Sequence, residues 1–346
     1  MHYIFKWLKM EELMMKKVLV GVLGVLLVVL IGIGGYIYKL IDAISEAEEL
    51  AKGDSQWQEW EGDSDNFGIP EDAPTEDDTE AVHVLLLGTD RRNQNENGRS
   101  DAILIATLDK KNSQLKLTSI MRDLYVSIPG RKDNRINAAY SFGGPKLAMQ
   151  TINQNFNLDI TRYVTVDFFG LEEIIDAMGG VDIDVKEKEV NHLNKILNEL
   201  NSLDKKNRTS PGITRSGLQT LNGRQAVAYS RIRKVGHGDT ERTERQRRVL
   251  SAMFNKVKSI NPLKLPDLVA SIIPYADTNI PISEIVSLGT SVLGIKDKHI
   301  YQYRVPADNT FSSQRIRGMA VYVPDLEKNR ELLHQFLYEK ATLTSD

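Results

Sequence analysis

Cysteine is absent from this chain of 346 residues. Disulfide bonds, cysteine nucleophiles and thiolate zinc sites are therefore excluded. Histidine is scarce, and His83, His192 and His237 stand in separate contexts without the spacing of a metal site. A zinc hydrolase is therefore not supported. The chain also lacks a recognisable serine nucleophile motif, so Ser-His-Asp chemistry is not indicated.

Long apolar runs are lacking except for one, residues 18–38, which contains no charged residue. As a helix it would span roughly 32 Å, about the thickness of one hydrocarbon core. No convincing cleavage site follows it, so a retained membrane anchor is favoured over a signal peptide. Lysines precede the run and acids follow it, which predicts a single pass with the N-terminus in the cytoplasm and the remainder outside.

Basic residues are missing from residues 53–80, which hold eleven acids and no Lys or Arg. Such a segment repels itself and favours an extended tether. The whole chain has a net charge of −3 and residues 1–52 are neutral, so residues 81–346 carry +8. This charge favours anionic lipid headgroups, cell-wall polymers or phosphorylated glycans as partners, and no nucleic acid is expected outside the cell. We predict a cytoplasmic segment (1–17), a membrane span (18–38), a tether (39–80) and one exported domain (81–346).

Three apolar runs at the start of the exported domain predict strands, at residues 81–88, 102–108 and 115–120. If these neighbours pair antiparallel, the end of the first, the start of the second and the end of the third share one edge of the sheet. Asp90, Asp101 and Arg122 stand at those three points. Asp90 and Asp101 offer carboxylate oxygens, which suit Mg²⁺ beside a diphosphate. Alone they are a weak signal, since either could serve a turn or a strand end.

The next elements alternate between helix and strand. Helices are predicted at residues 143–156 and 171–178, and strands at 163–168 and 181–185. Residues 186–217 are polar and are interpreted as a peripheral insertion. The alternation predicts an α/β fold, a layered α-β-α domain with a mixed central sheet, preceded by one transmembrane helix.

The densest cationic tract, residues 231–248, contains seven cations, six of them arginine, against three acids. Arginine presents a planar fork of donors that fits phosphate oxygens. A solvated charged helix is the alternative interpretation of such a run. The tract matters because the chain as a whole is slightly acidic.

Helical phasing separates the arginines of this tract. A helix is predicted from about Thr240, with Asp239 or Thr240 as its cap. Its apolar stripe consists of Val249, Leu250, Met253, Phe254 and Val257. Arg242, Arg245 and Gln246 lie on the same side as the stripe, whereas Arg247 and Arg248 do not. Inward arginines need an anionic partner, which is either a phosphate ligand or an internal Asp or Glu.

Seven motifs occur in order along residues 85–250. They are LLLGTDRR (85–92), RSDAILI (99–105), SIMRDLYVSIPG (119–130), NRINAAYSFGG (134–144), MGGVDIDV (178–185), LNGRQAVAYSRIRK (221–234) and DTERTERQRRVL (239–250). Together they resemble the LytR–CpsA–Psr family of Gram-positive cell-envelope enzymes, and the resemblance covers essentially all of residues 81–346. Met121 departs from the family pattern, which usually has proline there.

The resemblance implies a phosphotransferase that takes an anionic glycopolymer from an undecaprenyl diphosphate carrier and attaches it to the C6 hydroxyl of N-acetylmuramic acid in peptidoglycan. It also implies an apolar tunnel beneath the sheet for the lipid. Asp90 and Asp101 would hold Mg²⁺, with Mn²⁺ as the alternative. The expected diphosphate-binding residues are Arg99, Arg122, Arg231, Arg233, Arg242, Arg245 and Gln246. The expected catalytic residues are Asp101, Arg122, Arg233 and Asp239, of which Asp239 would orient arginines or deprotonate the acceptor.

Two other functions remain open on the sequence, and a third is disfavoured. A diphosphatase would use the same site with water as acceptor. A wall-polymer or lipid-phosphate binding module would bind without turnover. A transcription regulator conflicts with the predicted topology, because its basic tract would lie outside the cell. The polymer, whether wall teichoic acid, capsular polysaccharide or another wall glycan, is not determined, and neither is the oligomeric state.

Overall fold

The computed structural model describes residues 66–342, apart from 90–97, 204–208, 234, 236–238, 262–263 and 298, and only the backbone of residues 239, 240 and 266. The predicted cytoplasmic segment (1–17) and membrane span (18–38) lie outside the described residues. No helix within the described part is both long and apolar enough to cross a bilayer.

Twelve strands are present in the described residues. They are β1 (Ala81–Thr89), β2 (Ser100–Asp109), β3 (Gln114–Ile120), β4 (Tyr125–Val126), β5 (Asn134–Arg135), β6 (Arg162–Asp167), β7 (Val181–Val185), β8 (Gly217–Leu221), β9 (Asp277–Thr278), β10 (Ile300–Val305), β11 (Phe311–Ile316) and β12 (Met319–Pro324). The α-helices are α1 (Glu76–Thr79), α2 (Asn137–Phe156), α3 (Phe168–Ala177), α4 (Glu187–Leu203), α5 (Gly223–Ser230), α6 (Asp239–Lys258), α7 (Leu265–Ile272), α8 (Ile282–Gly294) and α9 (Leu326–Tyr338).

The central sheet has six strands in the order β10-β3-β2-β1-β6-β9. β1, β2 and β3 pair antiparallel, with Leu86 opposite Leu104 and Leu104 opposite Ser119. This confirms the predicted arrangement of the first three strands. β6 runs parallel to β1, and β10 runs parallel to β3. The sheet is therefore mixed, as the alternating elements predicted.

Helices cover both faces of this sheet. Leu85 and Leu87 point to one face, where they join a core with residues of α2 and α9. Because successive side chains alternate across a strand, Val82 points to the other face. There it packs with Val292 and Ile295, at the end of α8. The domain thus has three layers, helix, sheet and helix, in agreement with the predicted α-β-α fold class.

A second core lies beside the sheet and differs from the prediction. β7 does not join the central sheet but pairs antiparallel with β8. Residues 187–203, predicted to belong to a peripheral insertion, form α4 and contribute Leu193, Leu197 and Leu200 to this core. These leucines recur at helical spacing and are at most 2% exposed. The segment is therefore part of the packed domain.

The folded part also begins before residue 81. Phe67 packs against the main core, and its carbonyl accepts a hydrogen bond of 2.9 Å from Nδ2 of Asn153. The Thr75 side chain and the Asp78 carboxylate form a reciprocal capping box at the start of α1. Residues 66–80 are therefore packed on the domain, which corrects the predicted tether boundary at residue 80. Three of the acids in this stretch lie in the first turn of α1, where negative charge is favourable.

The start of α5 is packed tightly against α3. Asn222 caps α5, and the Gly223 amide donates to the carboxylate of Asp176 at 2.7 Å. A β-carbon added at Gly223 would overlap the carbonyl oxygen of Glu172. Glycine is therefore required here by the close approach of two backbones, and this contact sets the position from which α5 leads to Arg231.

We expect Gly223→Ala to lower the free energy of unfolding by about 1–3 kcal/mol, because the added methyl group must push α5 away from α3. Urea denaturation measures this loss. Gly294→Ala is the matched control, since nothing lies within 4 Å of the added carbon. That change should alter stability by less than about 1 kcal/mol. Equal effects of the two substitutions would contradict the close approach.

Candidate active site

Asp101 stands at an irregularity in the pairing of β1 with β2. Gly88 lies opposite Ala102, but Thr89 lies opposite Ser100, so Asp101 has no partner in the ladder. Such a bulge commonly re-aims a side chain at the rim of a sheet. The Asp101 carboxylate accepts a hydrogen bond of 2.6 Å from Nη1 of Arg122, which follows β3. The structure thereby brings Asp101 and Arg122 together as predicted, whereas Asp90 lies outside the described residues.

Arg122 is also held from its other side. Its Nε lies 3.4 Å from the Asp123 carboxylate, which in turn lies 3.2 Å from Nε of Arg135. The Arg135 guanidinium donates to the backbone carbonyl of Ala320 in β12. A chain of alternating charges therefore ties the Arg122 side chain to the hairpin formed by β11 and β12.

Residues 231–233 and Val235, which follow α5, supply two more arginines, and we call these residues the arginine loop. The Ile232 and Val235 side chains are buried in the second core, at 0% and 5% exposure. The Arg231 guanidinium lies 4.6 Å from the centre of the Phe168 ring, within range of a cation–π interaction. Arg233 extends outward, with half of its side chain exposed, and its Nη2 lies 3.6 Å from Asp101. The Asp101 carboxylate therefore lies between Arg122 and Arg233.

Helix α6 completes a cavity of about 270 Å³. We call it the cationic cavity, and its lining residues are Asp101, Phe168, Ile196, Glu199, Arg231, Arg233, Arg242 and Gln246. Arg242 and Gln246 are four residues apart on one side of α6, as the helical phasing predicted. Phe168, Ile196 and Glu199 were not predicted. Phe168 follows a strand end directly, but Ile196 and Glu199 lie in the segment that was interpreted only as a polar peripheral insertion.

Arg245 does not line the cavity, which corrects its predicted contact with the diphosphate. Its side chain is 0% exposed, and its Nε donates to the Glu189 carboxylate at 2.8 Å. Its two terminal nitrogens donate to the carbonyls of Ile232 and Val235 at 3.0 and 3.1 Å. The alternative of an internal ion pair is thus the correct one for this arginine. Helical phasing predicts on which side of the helix a side chain lies, but not how deeply it is buried or which residue it pairs with.

Two other predicted residues are placed less directly. Arg99 is exposed at the start of β2 and is not among the residues that line the cavity. Asp239 begins α6, but only its backbone is described. The roles predicted for both residues therefore remain predictions.

Arg247 and Arg248 point away from the cavity, as predicted, but they are not simply solvated. Nη1 of Arg247 donates to the carbonyl of Tyr303 at 3.2 Å, and burial lowers the pKa of its guanidinium. Nη1 of Arg248 donates to the Tyr229 hydroxyl at 3.1 Å. Burial raises the pKa of Tyr229, so this hydroxyl stays neutral and can accept. Both arginines therefore fasten α6 to its neighbours.

An apolar surface adjoins the cavity on the sheet face that α6 and α8 cover. Several residues of β1 and β2 that point to this face are only half-buried, although central strands covered by helices are normally buried and Leu104 on the same face is. We call this surface the apolar floor, and it consists of Val84, Leu86, Gly88, Ala102 and Ala106. Its end at Gly88 and Ala102 lies next to the bulge that carries Asp101.

Three arginines, Arg231, Arg233 and Arg242, line the cavity. Its described lining residues include no cysteine or histidine, and no group of three metal-ligating side chains occurs in the described part of the chain. Arginine forks and one neighbouring apolar floor suit an amphiphile with a phosphate head and an apolar tail. A reaction that asks mainly for charge stabilisation and positioning, such as phosphoryl transfer, fits this arrangement.

Known proteins resemble this chain over most of its length. The sequence profile of the LytR_cpsA_psr family matches residues 38–336. The polyisoprenyl-teichoic acid–peptidoglycan teichoic acid transferase TagU of Bacillus cereus is 32% identical over 320 residues, which are 91% of this chain and 95% of TagU. The crystal structure of TagV from Bacillus subtilis matches with a TM-score of 0.59 and 29% identity, over 74% of this chain and 97% of TagV. YwtF (TagT) with bound octaprenyl pyrophosphate lipid matches with a TM-score of 0.56 and 25% identity, over 74% of this chain and 90% of that protein.

We expect Asp101→Asn to strengthen the binding of inorganic pyrophosphate in the absence of divalent cations, by roughly twofold to fivefold. Asparagine keeps an oxygen that can accept from Arg122, but it removes the negative charge between two arginines. Isothermal titration calorimetry in a chelating buffer measures the affinity. Asp184→Asn, at an exposed position of β7, is the control for a change of net charge. Weaker binding by Asp101→Asn would show that the charge on Asp101 is needed to orient the arginines.

Proposed function

Because the chain belongs to the LytR–CpsA–Psr family, we propose that it transfers an anionic glycopolymer from an undecaprenyl diphosphate carrier to the C6 hydroxyl of N-acetylmuramic acid in peptidoglycan. The product is a phosphodiester. The named activity of TagU and the octaprenyl pyrophosphate bound by TagT support this assignment. The polymer is an anionic wall glycopolymer, either wall teichoic acid or a capsular or secondary wall polysaccharide.

The observation that carries the proposal is the junction of the cationic cavity with the apolar floor. A polyprenyl diphosphate has a doubly charged head and a long apolar tail, and the junction offers a matching surface to each. The arginines would contact phosphate oxygens, and Val84, Leu86 and Ala106 would contact the tail. A soluble sugar phosphate would leave the apolar floor exposed to water, at a free-energy cost that grows with its area.

In the proposed reaction the acceptor oxygen attacks the phosphorus that carries the glycopolymer. A new phosphorus–oxygen bond forms to the C6 oxygen, and the bond to the bridging oxygen of the diphosphate breaks. Polyprenyl phosphate leaves with that oxygen and gains negative charge. This charge would be stabilised by four arginines, namely Arg122, Arg231, Arg233 and Arg242. The transfer needs no covalent enzyme intermediate. The proton of the acceptor hydroxyl would pass to a base, for which Asp239 is our candidate.

We also propose Mg²⁺ as the cofactor, with Mn²⁺ as the alternative. Carboxylate oxygens are the ligands that these ions prefer, and Asp101 presents a carboxylate that lines the cavity and is 19% exposed. Each of its oxygens contacts one arginine and keeps lone-pair capacity for a cation. Asp101 would hold the ion together with Asp90. When bound, the ion would neutralise charge on the diphosphate oxygens.

The proposed location is the outer side of the cell membrane, with residues 18–38 as a single anchor. The positive charge of residues 81–346 supports this location, because membrane lipid headgroups, the glycopolymer and its diphosphate are all anionic. Peptidoglycan, the proposed acceptor, lies on the same side. The partners would then meet at the cavity without crossing the bilayer.

Arg233→Ala should reduce transfer by roughly 100- to 1000-fold, the usual effect of removing one donor that stabilises developing charge. The fold should survive, since half of the Arg233 side chain is exposed. The measurement is transfer from a defined lipid-linked donor to peptidoglycan oligomers in Mg²⁺, with product analysis. Arg215→Ala, at an exposed arginine elsewhere, should leave transfer unchanged.

The same assay separates the competing functions. Release of the polymer phosphate into water with no peptidoglycan product would indicate a diphosphatase. Binding of the donor with no turnover by the wild-type chain would indicate a binding module. Unchanged transfer by Arg233→Ala would contradict the assignment of the cationic cavity.

Asp101→Ala should nearly abolish transfer and also remove its dependence on Mg²⁺. The activation free energy of transfer is expected to rise by about 2.7–4 kcal/mol. Titration of Mg²⁺ into chelator-treated wild-type and variant proteins measures both effects. Full transfer by a folded Asp101→Ala protein would refute the proposed metal site.

A further inference from the structure

Arg245 is the largest fully buried side chain in the described domain, and it joins three separate elements. It lies on α6, its Nε contacts Glu189 on α4, and its two terminal nitrogens contact carbonyls of the arginine loop. The guanidinium therefore bridges the loop to two helices at once. None of these contacts involves the cavity itself.

Both carboxylate oxygens of Glu189, the partner of Arg245, accept hydrogen bonds. Its Oε1 accepts from Arg245, and its Oε2 accepts from the backbone amide of Lys186 at 2.9 Å, just before α4. The Glu189 side chain is 1% exposed. The carboxylate thus anchors Arg245 to the start of a helix whose leucines are packed in the second core.

The two carbonyls that Arg245 binds define the course of the arginine loop. Because Ile232 lies between Arg231 and Arg233, the hydrogen bond to its carbonyl restrains the backbone next to both arginines. The Ile232 and Val235 side chains point into the second core, and the intervening Arg233 points to Asp101. The carbonyl hydrogen bonds and the buried side chains together restrain the backbone from which Arg231 and Arg233 reach the cavity.

We propose that Arg245, anchored by Glu189, is a positioning residue that holds the arginine loop in the conformation required for diphosphate binding. The inference rests on the proposed function, since it assumes that Arg231 and Arg233 bind the carrier diphosphate. Arg245 does not touch the ligand. It acts through the Ile232 and Val235 carbonyls.

The chemistry of arginine explains why this residue suits the role. A guanidinium carries five donors in a rigid plane and can serve three acceptors in fixed directions. A lysine ammonium could still neutralise Glu189, but it could not hold both carbonyls in the same plane. A buried ion pair is also weak evidence for stability, because desolvation offsets most of its attraction. The pair is better explained by the geometry that it imposes.

The first test is Arg245→Lys in the full-length chain in detergent micelles, with geranylgeranyl diphosphate as the probe. We expect an affinity loss on the order of 100-fold, the effect of displacing binding groups by about an ångström. We also expect faster amide hydrogen exchange in the peptide that covers residues 228–235. Arg224→Lys is the matched control, since Arg224 forms a similarly buried ion pair with Glu172 at the opposite end of α5. This control should change neither the affinity nor the exchange of the loop.

The second test separates positioning from stability. The double variant Glu189→Gln/Arg245→Met removes both buried charges, and glutamine can still accept from the Lys186 amide. We expect it to unfold cooperatively in urea, because the buried ion pair is removed as a whole, while the affinity for the probe stays low and exchange in the loop stays fast. Recovery of wild-type affinity together with stability would overturn the proposal. It would also be overturned if exchange in the loop were unchanged in both Arg245 variants.

The outcomes distinguish this inference from the proposed function. If the wild-type chain does not bind geranylgeranyl diphosphate, the proposed function fails, and the exchange measurement still decides whether Arg245 holds the loop. If the wild type binds and Arg245→Lys binds equally well, the positioning role fails and the proposed function stands. Loss of affinity with faster exchange in Arg245→Lys, and no change in Arg224→Lys, supports both.

Discussion

The contact of one carboxylate with two arginines is the interaction on which the site depends. Asp101 comes from a bulge at the rim of the central sheet, Arg122 follows a neighbouring strand, and Arg233 comes from the second core. The negative charge of Asp101 offsets the repulsion between the two guanidinium groups. The carboxylate therefore keeps a concentrated positive charge in place while the cavity is free of ligand, and it leaves those donors ready for a phosphate.

The rest of the structure supports this contact from both sides. Asp123 and Arg135 hold Arg122 against the β11–β12 hairpin, and Glu189 and Arg245 hold the loop that carries Arg233. These supports sit behind the arginines that face Asp101 and restrain them with ion pairs and hydrogen bonds. Preorganised donors of this kind need little rearrangement when charge develops on a leaving phosphate. Under the proposed function, the adjacent apolar floor would distinguish a lipid-linked substrate from a soluble one.

Local patterns predicted much of this arrangement. The apolar runs of β1 to β3 and the antiparallel rule placed Asp101 and Arg122 at one edge, and helical phasing placed Arg242 and Gln246 on the inner side of α6. The same phasing could not identify Glu189 as the partner of Arg245, because the two residues are 56 positions apart and meet only when α4 packs on α6. Ile196 and Glu199 were missed for the same reason, since nothing in their own segment marks them as cavity residues.

The sequence by itself determined the absence of thiol chemistry, the positive charge of residues 81–346, the strand and helix periods, and the cationic tract of residues 231–248. Only the tertiary structure decided what each cation of that tract does. Arg242 and Arg245 stand on one side of the same helix, yet one lines the cavity and the other is sealed against Glu189. Periodicity gives the direction of a side chain about the helix axis. Its partner is supplied by another part of the chain, and burial of charge makes that partner decisive.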